Sequence, residues 1–189
     1  MNITKRAFLK ASGASIATLS IAGQTLSTSA LAASSSKKSA VLKPITGSVT
    51  AISKAERLER IAHAQQLMRQ LDISALILEP GAAMDYFSGI QWWRSERLTA
   101  VIIPREGKVS VVCPFFEEPS IRESLAISDD ILVWQEHESP FTLIKKILTT
   151  SGLNKGKVAF ENSVRYFVMS GVMAELTNMQ HVSAEPVTR

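Results

Sequence analysis

One segment collects side chains suited to recognition. Tyr86-Phe87-Ser88-Gly89-Ile90-Gln91-Trp92-Trp93-Arg94-Ser95-Glu96-Arg97 holds two adjacent tryptophans and two arginines, and it falls between expected strands. Trp and Arg are the residues most enriched where binding energy concentrates. The planar Arg fork also matches a carboxylate through two parallel hydrogen bonds. The bland alternative packs one Trp in the core and leaves the arginines solvated. Composition alone names a binding loop and no ligand.

The other chemistry-bearing residues offer less. The chain has three histidines and one cysteine. His63 sits on the polar face of an expected helix; Glu59 lies four residues before it, but one His and one acid alone make no metal site. His137 follows Trp134-Gln135-Glu136 at a strand end, and His181 lies near the C-terminus. A solvated or capping role is expected for each. Cys113 could be drawn with His137 and Glu117 or Glu118 as a nucleophilic site. No helix N-terminus stands directly behind it to lower its pKa, and Pro114 intrudes, so a buried structural thiol is expected. Glu117 and Glu118 are helical neighbours about 100° apart, too divergent to share a proton or a metal. The nine glycines are scattered, so no phosphate-cradling loop is present. No residue is assigned to catalysis and none to a metal.

The elements that must position these groups alternate. Ser53-Lys54-Ala55-Glu56 has the form of a capping box. Leu58, Ile61, Ala64, Leu67, Met68 and Leu71 then mark one face of a helix to about Leu71. Ala75–Leu78 is a continuous apolar run, as a strand covered on both faces requires, and Pro80-Gly81 breaks it. Thr99–Pro104 and Val109–Val112, joined by Arg105-Glu106-Gly107-Lys108, predict an antiparallel hairpin. Phe116–Leu125 predicts a helix, Ile131–Trp134 a fourth strand and Lys157–Phe160 a fifth. Ser139-Pro140 starts a helix with Pro at the first turn, where its missing N–H costs nothing, and Val164–Leu176 predicts the last long helix. Strands alternating with helices, plus one hairpin, give an α/β three-layer sandwich with a mixed five-stranded sheet.

Charge separates the chain into parts. The formal net charge is +4, but residues 1–55 carry seven Lys/Arg and no acid. The remaining 14 Lys/Arg stand against all 17 Asp/Glu, so residues 56–189 have a net charge of −3. Basicity outside the folded part argues against a nucleic-acid groove. One cysteine excludes an internal disulfide framework. Residues 1–32 have the form of an export signal: Lys5, Arg6 and Lys10, a weakly apolar run from Ala11 to Leu26, and the small-x-small site Ala30-Leu31-Ala32. Six polar residues in that run make it a poor permanent membrane span. Thr4-Lys5-Arg6-Ala7-Phe8-Leu9-Lys10 resembles the twin-arginine export motif, with Lys5 where the first arginine belongs; the general export route stays open. Cleavage near Ala32 would deliver a periplasmic or secreted protein. Residues 33–52 read as a flexible leader, 53–185 as the domain, and 186–189 as the start of a linker.

From about Ala55 the chain resembles the N-terminal domain of the creatinase, prolidase and aminopeptidase P family, the pita-bread metallopeptidases. The resemblance rests on an ordered set of motifs. Arg57-Leu58-Glu59-Arg60 leads to the strand Ala75–Leu78, and Met84-Asp85-Tyr86-Phe87-Ser88-Gly89 is similar to the family's Tyr-x-Ser/Thr-Gly stretch, with Asp85 where Asn is usual. Glu96-Arg97-Leu98, the hairpin, Glu118, Val133-Trp134, Ser139-Pro140 and Gly156-Lys157-Val158-Ala159-Phe160-Glu161 follow in order.

The resemblance implies the front third of an exported Xaa-Pro aminopeptidase or dipeptidase. Its partners would be its own catalytic domain, a second subunit and a peptide with proline second. Two divalent metals (Mn, Co or Zn) would lie in that catalytic domain, and this chain, lacking the metal ligands, would be inactive alone. It further implies that Tyr86, Trp92, Trp93, Arg94 and Arg97 gate substrate, with Arg97 meeting the substrate carboxylate or an adjacent polar group. Trp92 or Trp93 would wall the pocket for the peptide's N-terminal residues or proline. A creatinase-like amidinohydrolase domain and a free-standing exported binding module are the alternatives.

Overall fold

The computed structural model describes residues 46–127 and 130–189, and Ser48–Arg189 form one folded unit. The expected signal, and the leader as far as residue 45, lie outside the described residues. No described helix is long and apolar enough to cross a membrane.

The unit opens with α1 (Lys54–Leu71). Ser53 caps it, its Oγ accepting from the Glu56 N–H at 3.1 Å. Only half of the expected capping box forms, because the Glu56 carboxylate accepts from Arg60 one turn on. The buried face is centred on Arg57, Ile61, Ala64 and Met68, while Leu58 and Leu71 at its margins stay exposed. After α1 come β1 (Ile73–Leu78), α2 (Ala82–Ser88), β2 (Ala100–Pro104), β3 (Ser110–Pro114), a 3-10 turn at Phe115–Glu117, and α3 (Glu118–Ser124). Next are β4 (Ile131–Trp134), α4 (Pro140–Thr150), β5 (Gly156–Phe160), α5 (Tyr166–Glu175), β6 (Met179–Ser183) and α6 (Glu185–Thr188).

The strands form one mixed sheet in the order β4-β3-β2-β1-β5-β6. The expected hairpin is present, with Ala100 opposite Val112 and Ile102 opposite Ser110. β2 is also antiparallel to β1, whereas β1–β5, β5–β6 and β3–β4 are parallel. Five strands thus run one way and β2 alone runs against them. The count is six rather than the expected five. The extra strand, β6, is an edge strand whose residues are mostly exposed, so its sequence carries little of the apolar signal that marked the others.

Alternation along the strands divides the core between the two faces. Leu76 and Leu78 pack with Ile61, Met68, Met84, Phe87 and Ile121 on the face covered by α1, α2 and α3. Ala75 and Ile77 pack with Ile144, Leu148, Val168 and Val172 on the face covered by α4 and α5. The result is the three-layer α/β sandwich. Residues 186–189, expected to start a linker, instead largely form α6. Its Val187 is buried in the same cluster as Ile61 and Met68.

Candidate functional site

Residues 89–99 connect α2 to β2 at the edge where the five co-directional strands end. In α/β sheets this edge is the usual place for ligands. The Tyr86-Phe87-Ser88-Gly89 stretch launches this loop. Ser88 is buried; its Oγ donates to the Met84 carbonyl at 2.6 Å and accepts from the Ile90 N–H at 3.2 Å. Gly89 then ends the helix at φ +85°, and an added Cβ would stand 2.9 Å from the Ala126 Cβ and 3.1 Å from the Ser124 carbonyl. A left-handed turn with no room for a side chain requires glycine.

The loop is pinned along its length. The Trp92 indole N–H donates to Glu117 Oε2 at 3.2 Å, and Thr99 Oγ1 donates to the same oxygen at 2.9 Å. Arg94 Nε donates to the Pro80 carbonyl at 3.0 Å, and its guanidinium also reaches Ser163 Oγ. Between these anchors Trp93 is 88% exposed. Trp92 is half-buried against the core, so the two neighbours divide the roles left open by the sequence: one packs and one projects.

Arg97 is already engaged. Its Nε donates to Glu136 Oε1 at 2.6 Å, and its guanidinium also pairs with Glu96 and lies 5.3 Å from the Phe116 ring centroid. The hydrogen bond to Glu136 raises its pKa above the ordinary arginine value against the opposing effect of burial, with the charges of Glu136, Glu96 and Glu117 adding to the rise. Any further anion reaching Arg97 therefore meets a guanidinium already shared between two acids.

Tyr86 does not share the loop's surroundings. Its carbonyl accepts from Arg57 at 3.1 Å and Arg60 at 2.9 Å, and the Arg60 guanidinium stacks 4.0 Å from its ring centroid. Tyr86 lines a separate concavity of about 630 Å³ with His63, Phe87, Val187 and Arg189, to which no residue of 92–97 contributes. Asp85, the departure noted in the motif, accepts from buried Arg57 at 3.2 Å, tying the start of α1 to α2.

Two groups at this edge carried no sequence signal as a pair. Glu79, directly after β1, has a fully buried side chain. It accepts from the Arg165 backbone N–H at 2.7 Å, from Arg165 Nε at 3.0 Å and from Arg165 Nη2 at 2.7 Å. The remaining Arg165 nitrogen donates to the Ser95 carbonyl inside the loop. An acid ending an apolar strand is visible in the sequence; its partner at the start of α5 is not.

The remaining candidates carry no such constellation. Cys113 is buried in β3, and burial first, then the charges of Glu117 and Glu118, push its thiol up to about 12. This is the reverse of an activated nucleophile. His63, His137 and His181 are exposed. Among the described residues no group of three or more His, Cys, Asp or Glu could hold a metal ion.

The comparisons with known proteins agree with the fold. The chain is 29% identical over 91 residues to a probable dipeptidase PepE of Mycobacterium tuberculosis, covering 47% of this chain and 24% of that protein. It is 28% identical over 143 residues to an uncharacterized peptidase of Schizosaccharomyces pombe, covering 68% of this chain and 31% of that one. The chain thus spans about a quarter to a third of the length of the curated relatives it matches. The crystal structure of dipeptidase PepE from Mycobacterium ulcerans superposes with a TM-score of 0.65 at 26% identity, covering 73% of this chain and 37% of that one. The model of the creatinase/prolidase N-terminal domain matches residues 60–189, and the chain belongs to that family.

Proposed function

We propose that this domain gates substrate and builds the dimer for an exported Xaa-Pro dipeptidase or aminopeptidase, working with a pita-bread catalytic domain that supplies two divalent metals. The observation that carries this reading is Trp93, 88% exposed on a loop fixed on both sides by Trp92–Glu117 and Arg94–Pro80. A rigid, projecting aromatic with arginines beside it loses little freedom on meeting a partner. It offers an apolar wall for a prolyl ring, while Arg97, shared with Glu96 and Glu136, offers a cation for the peptide's charged end. Tyr86 and Arg94 contribute indirectly: Tyr86 by seating α2 on α1, and Arg94 by fastening the loop. The dipeptidases among its relatives support a peptide substrate, and the family membership of residues 60–189 supports the partnership with a catalytic domain. The signal-like residues 1–32 support export to the periplasm or beyond.

The test joins the chain to the catalytic domain of a family dipeptidase and follows hydrolysis of Xaa-Pro peptides with Mn²⁺. Trp93→Ala is expected to lower kcat/KM about tenfold, the loss typical of a binding anchor, with an unchanged melting temperature. Sedimentation is expected to show a dimer. An unchanged kcat/KM, or cleavage of a prolyl bond by the chain alone, would remove the gating role.

A further inference from the structure

We propose that Arg165, braced by Glu79, is the positioning residue that holds the 92–97 loop with Trp93 presented outward. The assignment deepens the gating reading and rests on it for what the loop does; the geometry of the brace stands by itself. Two guanidinium nitrogens, Nε and Nη2, donate to Oε1 of the buried Glu79 carboxylate and set the guanidinium plane, while the Arg165 backbone N–H donates to Oε2. The remaining Nη1 is thereby aimed at the Ser95 carbonyl, two residues beyond Trp93. The outer face of the guanidinium lies 4.7 Å from the Phe167 ring centroid, closing its other side. A planar fork can satisfy a carboxylate and a carbonyl together, whereas the single ammonium of a lysine cannot reproduce that geometry. Arg94 fastens the same flank of Trp93 independently, through Pro80 and Ser163, and the Trp92–Glu117 hydrogen bond holds the other. The two arginines therefore hold the chain just after the exposed tryptophan, and Trp92 holds it just before. The Arg165 clamp reaches across from the start of α5, so it joins the loop to the second layer of helices.

The loop reports on its own mobility, because Arg94 and Arg97 are trypsin sites. The experiment compares the full chain with Arg165→Lys, which keeps a cation beside Glu79 but loses the arm to Ser95. It measures the rate of tryptic cleavage after Arg94, with cleavage after Arg69 in α1 as the reference for global opening. The three tryptophans are also replaced by 5-fluorotryptophan. Arg165→Lys is expected to speed cleavage after Arg94 about tenfold, as loss of one charged hydrogen bond allows, with cleavage after Arg69 unchanged. The ¹⁹F resonance of Trp93 should narrow, while that of buried Trp134 stays as it was. Cleavage after Arg94 that is unchanged, or that rises only in step with cleavage after Arg69, overturns the assignment, as does a Trp93 resonance of unaltered width. No peptide is present in either measurement. A loop that loosens as expected while Trp93→Ala leaves peptide turnover intact would keep the clamp and remove the gate.

Discussion

Glu79 and Arg165 lie 86 positions apart in sequence, yet the guanidinium and backbone N–H of one saturate the buried carboxylate of the other. The pair joins the end of β1 to the start of α5 at the edge where the loop to β2 emerges. A wholly buried carboxylate is tolerable only because each of its oxygens is met by a donor.

Removing one member should therefore cost far more than removing both. Arg165→Met leaves the Glu79 charge buried and unpaired, and it is expected to destabilise the domain by about 3 kcal/mol, the lower end for a broken buried pair since Arg165 is partly exposed. Glu79→Leu combined with Arg165→Met should recover most of that loss. Urea unfolding of the three proteins measures this. A double variant as unstable as the single one would show that packing of the arginine stem, and not its charge, is what the site requires.

Gly89 is expected to tolerate no side chain. Gly89→Ala forces a Cβ onto Ala126 and the Ser124 carbonyl at a backbone angle that L-residues avoid. The cost should be about 2–4 kcal/mol, combining left-handed strain with overpacking. Because Ala126 N–H also donates to the Ser88 carbonyl at 3.0 Å, the disturbance should reach the segment after α3. Thermal unfolding gives the magnitude. A loss below about 0.5 kcal/mol would mean that the loop relaxes freely.

The sandwich was legible because its signals are local. The apolar run Ala75–Leu78, the Gly107 turn between β2 and β3, and Pro140 at the first turn of α4 each announce an element without reference to the rest of the chain. β6 carries no such signal, because Gln180, His181 and Ser183 are polar and exposed on an edge strand. The candidate loop was visible in Trp92-Trp93-Arg94, but the division between a packed Trp92 and a projecting Trp93 depends on Glu117, 25 residues away. The same limit hid Arg165, whose role is defined by partners from two other segments. Tyr86 adjoins the loop in sequence, but the helical turn at 82–88 directs it toward α1.

The tryptophans should separate cleanly in solution. Iodide is expected to quench Trp93 alone, because Trp92 is held against Glu117 and Trp134 is buried with its indole N–H donating to the Leu98 carbonyl at 3.0 Å. Trp93→Ala should abolish most of the quenching and change stability by no more than about 0.5 kcal/mol, as for other exposed positions. Trp134→Phe should cost about 1–3 kcal/mol, since the buried carbonyl loses its donor. Quenching that survives Trp93→Ala would place another indole in solvent.

Cys113 gives the domain a sensitivity to alkaline pH. Its thiol titrates near 9.0 ordinarily and near 12 in the folded chain, because burial and the nearby Glu117 and Glu118 charges disfavour the thiolate. Below pH 9 both folded and unfolded chains keep the proton, and the stabilisation is whole. Between about 9 and about 12 the unfolded chain releases its proton while the folded chain retains it, so folding stability falls as pH rises. Urea midpoints taken at pH 8, 9.5 and 10.5 should decline for the native chain. Cys113→Ala should start lower, owing to the space left by the sulfur, and decline less steeply over the same interval. Parallel slopes for the two proteins would show that other groups carry the alkaline loss. Alkylation by iodoacetamide at pH 8 is expected to be slow in the folded chain and fast in urea, since a buried thiol held protonated is neither reachable nor nucleophilic.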